Sequence, residues 1–324
     1  MKLVLITGTL TALLCAAQIA IAQHAVVLNS RDASLSIIDL TTDKISTVTG
    51  VGKEPHHLYP SPDGKQLWVA NAQSDDLVKI NPTTGATLQR VKNIPDPYQL
   101  GFTSDGKWFI SIGLRLNRVD IYRHEMGPAG DAFKLVKRVA TGSMPSHTVF
   151  SQDEKTAYVT LQGDNELIAI DMATQSIVWK TPLGKTPAGL WITPKGMLLV
   201  GIMGEDYVQV VDPAKQTTVK KIITGKGAHA FRGRGDGKTV FVSNRDAGTI
   251  SAIDMDTLTK TYDISTQSGP DCMDVSADMK TLWVTNRWAR KVSVIDIESR
   301  KTIKQYAVGA SPHGVYLTQR AAFK

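Results

Sequence analysis

The sequence predicts an all-β chain folded as a seven-bladed β-propeller with four-stranded blades. Three observations favour this fold: a turn signal that recurs about every 42 residues, alternating apolar segments after each turn, and two chain ends that each hold part of one further repeat. Repeats of this length are typical of propellers, in which each repeat forms one blade around a central channel. Such a ring would use residues 23–324 as a single domain.

The turn signal is a short polar segment that usually contains Asp and Gly, as in Asp63-Gly64 and Asp236-Gly237. Glycine accepts positive φ without steric cost, so an Asp-Gly pair is a strong hairpin signal. The third positions of six such turns fall at residues 64, 106, 154, 196, 237 and 279, which are 42, 48, 42, 41 and 42 residues apart. The one longer interval predicts an extended hairpin over residues 123–134.

Each turn is followed by two apolar segments with the pattern of strands. Residues 67–71 (LWVAN) are an example of the first kind, and residues 292–296 (VSVID) of the second. Alternation with a period of two is typical of a strand that buries one face in a core. A further short strand leads to a Gly-x-x-Pro element, as at residues 52–55 and 309–312, which gives four strands in each repeat.

The two chain ends predict how the ring closes. Residues 24–29, 35–40 and 45–49 match the second, third and fourth strands of a repeat whose first strand is missing. Residues 313–318 can supply that strand from the other end of the chain. One C-terminal strand paired with three N-terminal strands would complete the seventh blade and leave no open sheet edge at the junction.

The first 22 residues predict a secretory signal peptide. Lys2 precedes an apolar run over residues 3–21, and Ala20-Ile21-Ala22 has the small-x-small pattern of a cleavage site. We therefore expect a periplasmic or secreted propeller with no membrane span after cleavage. A permanent anchor is the alternative, but the run lacks a basic flank and contains Thr, Gly and Gln residues.

Charge, cysteine content and missing motifs exclude several function classes. Lys and Arg total 37 against 30 Asp and Glu, a net charge of +7 that is dispersed along the chain, so nucleic acid is not an expected partner. Cys272 is the single cysteine after residue 22 and has no partner for an intramolecular disulfide. The sequence has no Cys-x-x-Cys-His segment and no Gly-x-Ser-x-Gly elbow, which excludes covalent haem c and a conventional serine hydrolase.

The repeated strand motif resembles the YVTN-type propeller repeats of bacteria and archaea. Residues 158–160 (YVT) and 283–286 (WVTN), the latter followed by the VSVID segment, carry this resemblance. Similar repeats occur in the propellers of nitrite-reductase haem domains and their maturation factors, in nitrous oxide reductase, in lactonase-like enzymes and in a propeller that binds single-stranded DNA. The resemblance covers the chain after residue 22 and implies the fold, but this range of activities does not select a function.

Five of the seven histidines fall at two adjacent positions that open the first strands, at the upper mouth of the predicted channel. The first position holds His56, Tyr98, Ser146, Ala188, His229, Asp271 and His313. The second holds His57, Gln99, His147, Gly189, Ala230, Cys272 and Gly314. Imidazole and thiolate are good ligands for zinc, copper and iron, so we predict a metal site. Its predicted ligands are His56, His57, His147, His229, His313 and Cys272.

Two alternatives remain for this group of residues. The same ring could hold a non-covalent tetrapyrrole in place of a bare copper or zinc ion. The histidines could instead be structural, because a polar ring suits a wet channel mouth and can cap neighbouring carbonyls. Adjacent residues of a regular strand point in opposite directions, so we do not expect both His56 and His57 to face the axis.

A rim of further residues surrounds the predicted site. Tyr98, Gln99 and Asp271 lie in the ring itself, and the loops between second and third strands add cations and an indole. These loop residues are Arg115, Arg245, Arg287, Trp288 and Arg290. Such a rim suits an anionic or planar ligand through ion pairing and stacking. Acidic residues in equivalent loops leave the alternative of a solvated surface with mixed charge.

These features predict a periplasmic or secreted propeller that binds a transition metal or a metal-containing cofactor, as a binding, delivery or maturation factor. One alternative is a metal-assisted lyase or lactonase-like enzyme that uses the same site. Another is a protein-interaction or single-stranded-DNA-binding scaffold. The expected partner is a small ligand or metal at the top face, and a periplasmic protein is a further candidate.

Overall fold

The computed structural model describes residues 23–128 and 130–322, which form seven antiparallel sheets of four strands each. The predicted signal peptide over residues 1–22 lies outside the described residues. The prediction of a seven-bladed propeller with four-stranded blades is therefore confirmed. Among the residues described, no helix has the length and apolarity needed to cross a membrane.

Blades one to six follow one another along the chain. Blade one contains β4 (Pro55–Pro60), β5 (Leu67–Asn71), β6 (Asp76–Ile80) and β7 (Thr87–Lys92), and blade two contains β8 (Pro97–Phe102), β9 (Trp108–Gly113), β10 (Arg118–Gly127) and β11 (Gly130–Ala140). Blade three contains β12 (Pro145–Phe150), β13 (Thr156–Leu161), β14 (Glu166–Asp171) and β15 (Ser176–Pro182), and blade four contains β16 (Pro187–Ile192), β17 (Leu198–Ile202), β18 (Tyr207–Asp212) and β19 (Thr217–Ile223). Blade five contains β20 (Ala228–Gly233), β21 (Thr239–Asn244), β22 (Thr249–Asp254) and β23 (Thr259–Ser265), and blade six contains β24 (Pro270–Val275), β25 (Thr281–Asn286), β26 (Lys291–Asp296) and β27 (Lys301–Ala307).

Blade seven joins the two ends of the chain, as predicted. It contains β28 (Pro312–Leu317), β1 (His24–Asn29), β2 (Ser34–Asp39) and β3 (Ile45–Thr49). β28 pairs antiparallel with β1, and Val26 lies opposite Tyr316. The backbone N–H of His24 also donates to Thr318 Oγ1 at 2.9 Å. The ring is thus closed by hydrogen bonds between segments almost 300 residues apart.

The hydrophobic core lies between neighbouring blades and is built mostly from second and third strands. Ile112 and Ile121 of blade two, for example, share one apolar cluster with Val159 and Ile168 of blade three. Each fully buried Val, Leu or Ile side chain contributes about 1.5–3 kcal/mol. The fourth strands contribute only a few residues to this core, such as Val139 of β11, and most side chains of β27 are exposed. The rigid inner strands therefore fix the geometry of the central channel.

The predicted long hairpin is present in blade two, where β10 and β11 are connected through residues 128–129. It carries His124, a buried histidine whose two ring nitrogens both have partners. Nδ1 lies 2.6 Å from the carbonyl oxygen of Gly106, and Nε2 lies 3.1 Å from Asp131 Oδ2. His124 is thus a structural histidine with its polar atoms satisfied.

A bulge interrupts each first strand at the two positions singled out in the sequence. In β4, Pro55 pairs with Asn71 and Leu58 pairs with Val69, so two residues stand opposite one. The pairing register shifts at the equivalent point of all seven first strands. Because a bulge breaks the alternation of a strand, neighbouring side chains can reach the same region. The expectation of a regular strand here is wrong.

Candidate functional site

Four imidazoles form a closed cycle around the channel axis, which we call the histidine ring: His57, His147, His229 and His313. Their successive centroids are 5.4, 5.1, 6.4 and 4.7 Å apart, and successive ring planes are inclined by 89, 85, 86 and 83°. The four residues come from blades one, three, five and seven. The closed propeller therefore assembles four histidines that are scattered along the chain.

The histidine ring is largely buried, and its Nε2 atoms form no hydrogen bonds. His147, His229 and His313 are 4, 1 and 0% exposed, and His57 is half-buried. The Nε2 atom of each of the four is itself buried and forms no hydrogen bond. Leaving a buried polar atom unpaired costs about 1–3 kcal/mol. Four such atoms in one place therefore lower the stability of the folded protein unless a ligand pairs with them. The two nitrogens of His124, which both have partners, carry no such cost.

The other ring nitrogen, Nδ1, lies near a polar atom in three of these histidines, and that of His229 lies 3.1 Å from Asp271 Oδ1. His147 Nδ1 lies 3.0 Å from the hydroxyl oxygen of Ser146, and His313 Nδ1 lies 3.6 Å from the sulfur of Cys272. A metal-binding histidine is commonly oriented in this way, with one nitrogen held by a neighbour and the other left for the ion. The same orientation leaves the Nε2 atoms free to accept a ligand.

Asp271 is the carboxylate at the centre of the site and is fully buried. Its Oδ1 lies 3.1 Å from His229 Nδ1, without the alignment of a hydrogen bond, and 3.6 Å from His313 Nε2. Its Oδ2 accepts hydrogen bonds from Arg245 at 2.7 Å and Arg287 at 3.3 Å. Burial is the largest single influence and would raise the pKa of Asp271, but the neighbouring groups together, Arg245 foremost, outweigh it and hold this pKa well below its usual range. The buried site thus contains a fixed negative charge.

Burial lowers the pKa of every histidine in this region. For His57 the pKa falls to about 3. For His56, His147 and His313 it falls well below the usual value, and for His229 it is also lowered. The imidazoles are therefore neutral near pH 7, and the neutral imidazole is the form that binds metals.

His56 lies beside the histidine ring and not within its cycle. Its imidazole packs between His313, at 3.8 Å between centroids, and the ring of Tyr98, at 4.0 Å. His56 and His57 both contact His313, which the bulge in β4 makes possible. Burial raises the pKa of Tyr98 to about 12, so its hydroxyl stays protonated. Gln99 accepts a hydrogen bond from the backbone N–H of Thr148 at 2.6 Å and thereby connects the first strands of blades two and three.

Two sets of three potential ligand atoms lie within 4.8 Å of one another, and they share His313. One set is His56, His57 and His313, and the other is Asp271, Cys272 and His313. His147 and His229 belong to neither set, but the ring of His147 contacts that of His57 and the ring of His229 contacts that of His313. A four-coordinate zinc ion has bonds of about 2.0–2.1 Å to imidazole nitrogen, so an ion would draw the rings inward.

Cys272 contributes a half-buried thiol to this region. Burial, reinforced by the charge of Asp271, raises the pKa of Cys272 well above its usual value. The thiol is therefore protonated at neutral pH. A metal ion bound there would have to displace this proton, which makes Cys272 a conditional ligand.

Beneath the histidine ring the channel widens into a cavity of 340 Å³. His57, His147 and Cys272 border it above, and Asp274 and Arg320 border it below. Its walls between these ends are largely apolar side chains of the first strands. This volume falls within the range of small-ligand pockets, so the lower side of the histidine ring has space for a small molecule.

The structure divides the predicted cationic rim into two groups. Arg245 is half-buried and pairs with Asp271 at 2.7 Å, and Arg115 pairs with Glu54 at 3.0 Å and with Asp96 at 2.6 Å. These two arginines are thus neutralised by acids of the chain. The remaining rim residues line a separate open cleft: Arg287, Trp288 and Arg290.

Sequence reasoning gave Ser146 no role and placed Asp271 in the ligand rim, not among the neighbours that orient the histidine ring. Ser146 contacts His147 within the same strand, and Asp271 lies between two imidazoles and two guanidinium groups. Both residues were visible at the first of the two aligned positions. Their partners depend on the bulges and on the arrangement of neighbouring blades, which the linear pattern does not contain.

Comparison with known proteins identifies a family and a set of similar folds. The model of the YNCE-like beta-propeller family matches residues 4–323. No curated protein matches the chain by sequence. The family match therefore extends over nearly the whole sequence, including all seven blades.

Three similar solved structures share the fold at low sequence identity. The dihydro-heme d1 dehydrogenase NirN in complex with DHE has a TM-score of 0.66 and 16% identity, over 90% of this chain and 74% of that one. Hydrazine synthase of Kuenenia stuttgartiensis has a TM-score of 0.67 and 17% identity, over 83% and 96% of the chains. A putative 6-phosphogluconolactonase of Bacteroides fragilis has a TM-score of 0.74 and 15% identity, over 91% and 98%. At these identities the likeness shows the fold alone.

Proposed function

The chain belongs to the YNCE-like β-propeller family, and we propose that it binds a transition-metal ion, copper or zinc, in the histidine ring. The observation that carries this proposal is the set of four buried Nε2 atoms that lack hydrogen-bond partners. Buried polar groups are normally paired, and a bound ion would supply one common partner for them. The protein would act as a metal-binding, delivery or maturation factor, and a periplasmic location would follow from the predicted signal peptide.

The chemistry of the donor set supports these metals. The site offers neutral imidazoles and a thiol, which favour zinc or copper over magnesium or calcium. The carboxylate of Asp271 adds one negative charge that would offset part of the charge of the ion. Its position beside His229 resembles the carboxylate–histidine pairs that orient metal ligands.

The spacing of the imidazoles favours a bare ion over a tetrapyrrole inside the ring. Successive centroids are 4.7 to 6.4 Å apart, and a planar macrocycle would have to separate them widely. The similarity to NirN, whose structure contains DHE, keeps a tetrapyrrole as the alternative cofactor. A tetrapyrrole would then bind beside the histidine ring and not within it.

The experiment measures the metal content of protein prepared without an affinity tag. Chelated protein is loaded with zinc, or with copper(I) under reducing conditions, passed through a desalting column and analysed by mass spectrometry. We expect about one ion per chain for the unmodified protein and less than a tenth of that for the double variant His147→Gln/His229→Gln.

His124→Gln is the matched control, because it removes a buried histidine that has both nitrogens paired. Circular dichroism establishes that each variant is folded before its metal content is compared. The control should retain the ion. Full metal content in the double variant would overturn the proposal.

A metal-assisted lactonase or lyase is the second candidate, and the cavity below the histidine ring is the observation that favours it. A substrate in this cavity could approach His57 and His147 from below. Metal-dependent hydrolysis of a simple lactone, abolished in the same double variant, would support the enzyme. Metal binding without turnover of lactones would support the delivery or maturation role.

A further inference from the structure

A second cavity lies on the top face, separate from the channel. It is an open cleft of 790 Å³ where blades six, seven and one meet. Its walls come from the loop after β1, which carries Arg31, from the segment before β4, which carries Lys53, and from the loop after β25, which carries Trp288. The volume is typical of a small-molecule site.

The cleft has an excess of positive charge. Arg31, Lys53, Arg287 and Arg290 line it, against the single acid Glu54. Glu54 is already paired with Arg115 outside the cleft, at 3.0 Å. The ion pairs found in the described part of the chain include none that involves Arg31, Lys53 or Arg290.

The neighbouring acids of the described chain form no direct ion pair with Arg31, Lys53 or Arg290. Asp32, next to Arg31 in the chain, accepts a hydrogen bond from the N–H of Ala310 at 2.5 Å. Asp271 takes part of the charge of Arg287 but lies beneath it, in the buried site. The cleft thus faces solvent with at least three unpaired cations, and an anion would relieve their mutual repulsion.

Trp288 provides a flat apolar surface in the same cleft. It is 55% exposed, whereas Trp68, Trp191 and Trp283 are at most 9% exposed. Its indole packs on Gly269, where an added Cβ would lie only 2.7 Å from the ring. The glycine therefore allows the indole to lie against the backbone, which fixes its position. An exposed but positioned indole suits the stacking of a planar group.

We propose that this cleft binds a small planar molecule with two acidic groups. The ring of the ligand stacks on Trp288, and its acidic groups pair with Arg31 and Lys53 on one side and with Arg290 on the other. A small molecule fits better than a nucleic-acid strand, because the unpaired cations are confined to one cleft and do not form a track across the face. The site does not depend on the metal proposal.

The test is calorimetric titration with naphthalene-1,5-disulfonate, a rigid planar dianion, at low ionic strength. We expect it to bind at least tenfold more tightly than the uncharged 1,5-dihydroxynaphthalene and to weaken as salt is added. Trp288→Ala and Arg290→Ala should each weaken binding about fivefold or more. Arg300→Ala is the matched control, because Arg300 is exposed and lies over Tyr262, away from the cleft.

Three results would overturn this inference. The first is equal affinity for the charged and uncharged naphthalenes. The second is unchanged affinity in both cleft variants. The third is much tighter binding of a 20-nucleotide oligothymidylate that displaces the probe, which would favour a nucleic-acid surface. We expect chelated and metal-loaded protein to bind the probe with equal affinity. The result of this test therefore does not depend on whether the histidine ring binds a metal.

Discussion

The strand β24 contributes a buried aspartate to each end of the central channel. The polar groups around these two aspartates differ in whether they form hydrogen bonds. At the upper end, Asp271 lies among imidazoles whose Nε2 atoms form no hydrogen bond. At the lower end, three residues further along, Asp274 accepts hydrogen bonds from Arg232 at 2.8 Å and from the N–H of Leu317 at 2.9 Å. The two ends therefore differ in hydrogen bonding and not in burial, and we base the proposed metal site on the group of unpaired nitrogen atoms at the upper end.

The lower end has the properties of a structural lock. Arg232 is 1% exposed and donates to the carbonyl oxygen of Ala321 at 2.6 Å and to that of Ala322 at 3.2 Å. It thereby connects blade five to Asp274 of blade six and to the segment that follows the closing strand. Its contacts support the closure of the ring, whereas the upper end leaves nitrogen atoms free for a ligand.

Removal of Arg232 should have the largest effect on stability. Arg232→Met leaves the buried carboxylate of Asp274 without its main partner, and breaking a buried pair in this way costs about 3–5 kcal/mol. Urea denaturation of the metal-free protein measures the loss in free energy of unfolding. The control is Lys195→Met, which breaks the exposed pair with Asp256 at 2.9 Å and should cost less than about 1 kcal/mol. Similar small losses in both variants would contradict a structural lower end.

The upper end should make the metal-free protein sensitive to acid. The histidines have lowered pKa values in the folded state, so the unfolded chain binds more protons below its own histidine pKa near 6.5. Their contribution to stability is complete above about pH 6.5 and is lost as the pH falls, by up to about 1.4 kcal/mol per pH unit for each histidine. For His57 this window extends down to about pH 3.

Urea denaturation at pH 7.5, 6.0 and 5.0 measures this dependence. His147→Gln/His229→Gln should give a shallower slope than the unmodified protein, since two of the titrating groups are absent. Equal slopes in the unmodified protein and the double variant would show that the histidine ring does not control acid sensitivity.

The reactivity of the Cys272 thiol tests a single residue of the upper end, and the expected effect is smaller. The raised pKa of its thiol leaves little thiolate at neutral pH, so iodoacetamide should react with it at least tenfold more slowly than with free glutathione. If Cys272 is a ligand, loading with zinc should slow the reaction further, and chelation should restore the original rate. Identical rates before and after loading would remove Cys272 from the ligand set but leave the histidines in it.

The fold could be predicted from the sequence because each blade repeats its own local signals. The turn spacing, the alternating strands and the divided seventh repeat each specify local pairing, and β28 pairs with β1 as expected. The location of the five histidines followed from the same alignment. Their orientation did not, because the register shift in the first strands brings His56 and His57 to the same neighbour, His313.

The ion pairs of the site could not be predicted from the sequence either. Arg115, Arg245 and Arg290 are alike as loop arginines, yet Arg115 pairs with Glu54 and Asp96, Arg245 pairs with Asp271, and Arg290 lines the open cleft. Which arginine is neutralised depends on acids of neighbouring blades. Such contacts between repeats are decided by the closed ring and not by the local pattern.

The most direct test of the central claim is anomalous X-ray scattering from crystals of the zinc-loaded protein, measured on both sides of the zinc absorption edge. We predict one strong anomalous peak on the channel axis, about 2.0–2.1 Å from Nε2 atoms of the histidine ring, with no peak at His124. Zinc bound only at surface residues, with the Nε2 atoms of the ring still unpartnered, would contradict the claim that the upper end of the channel is a metal site.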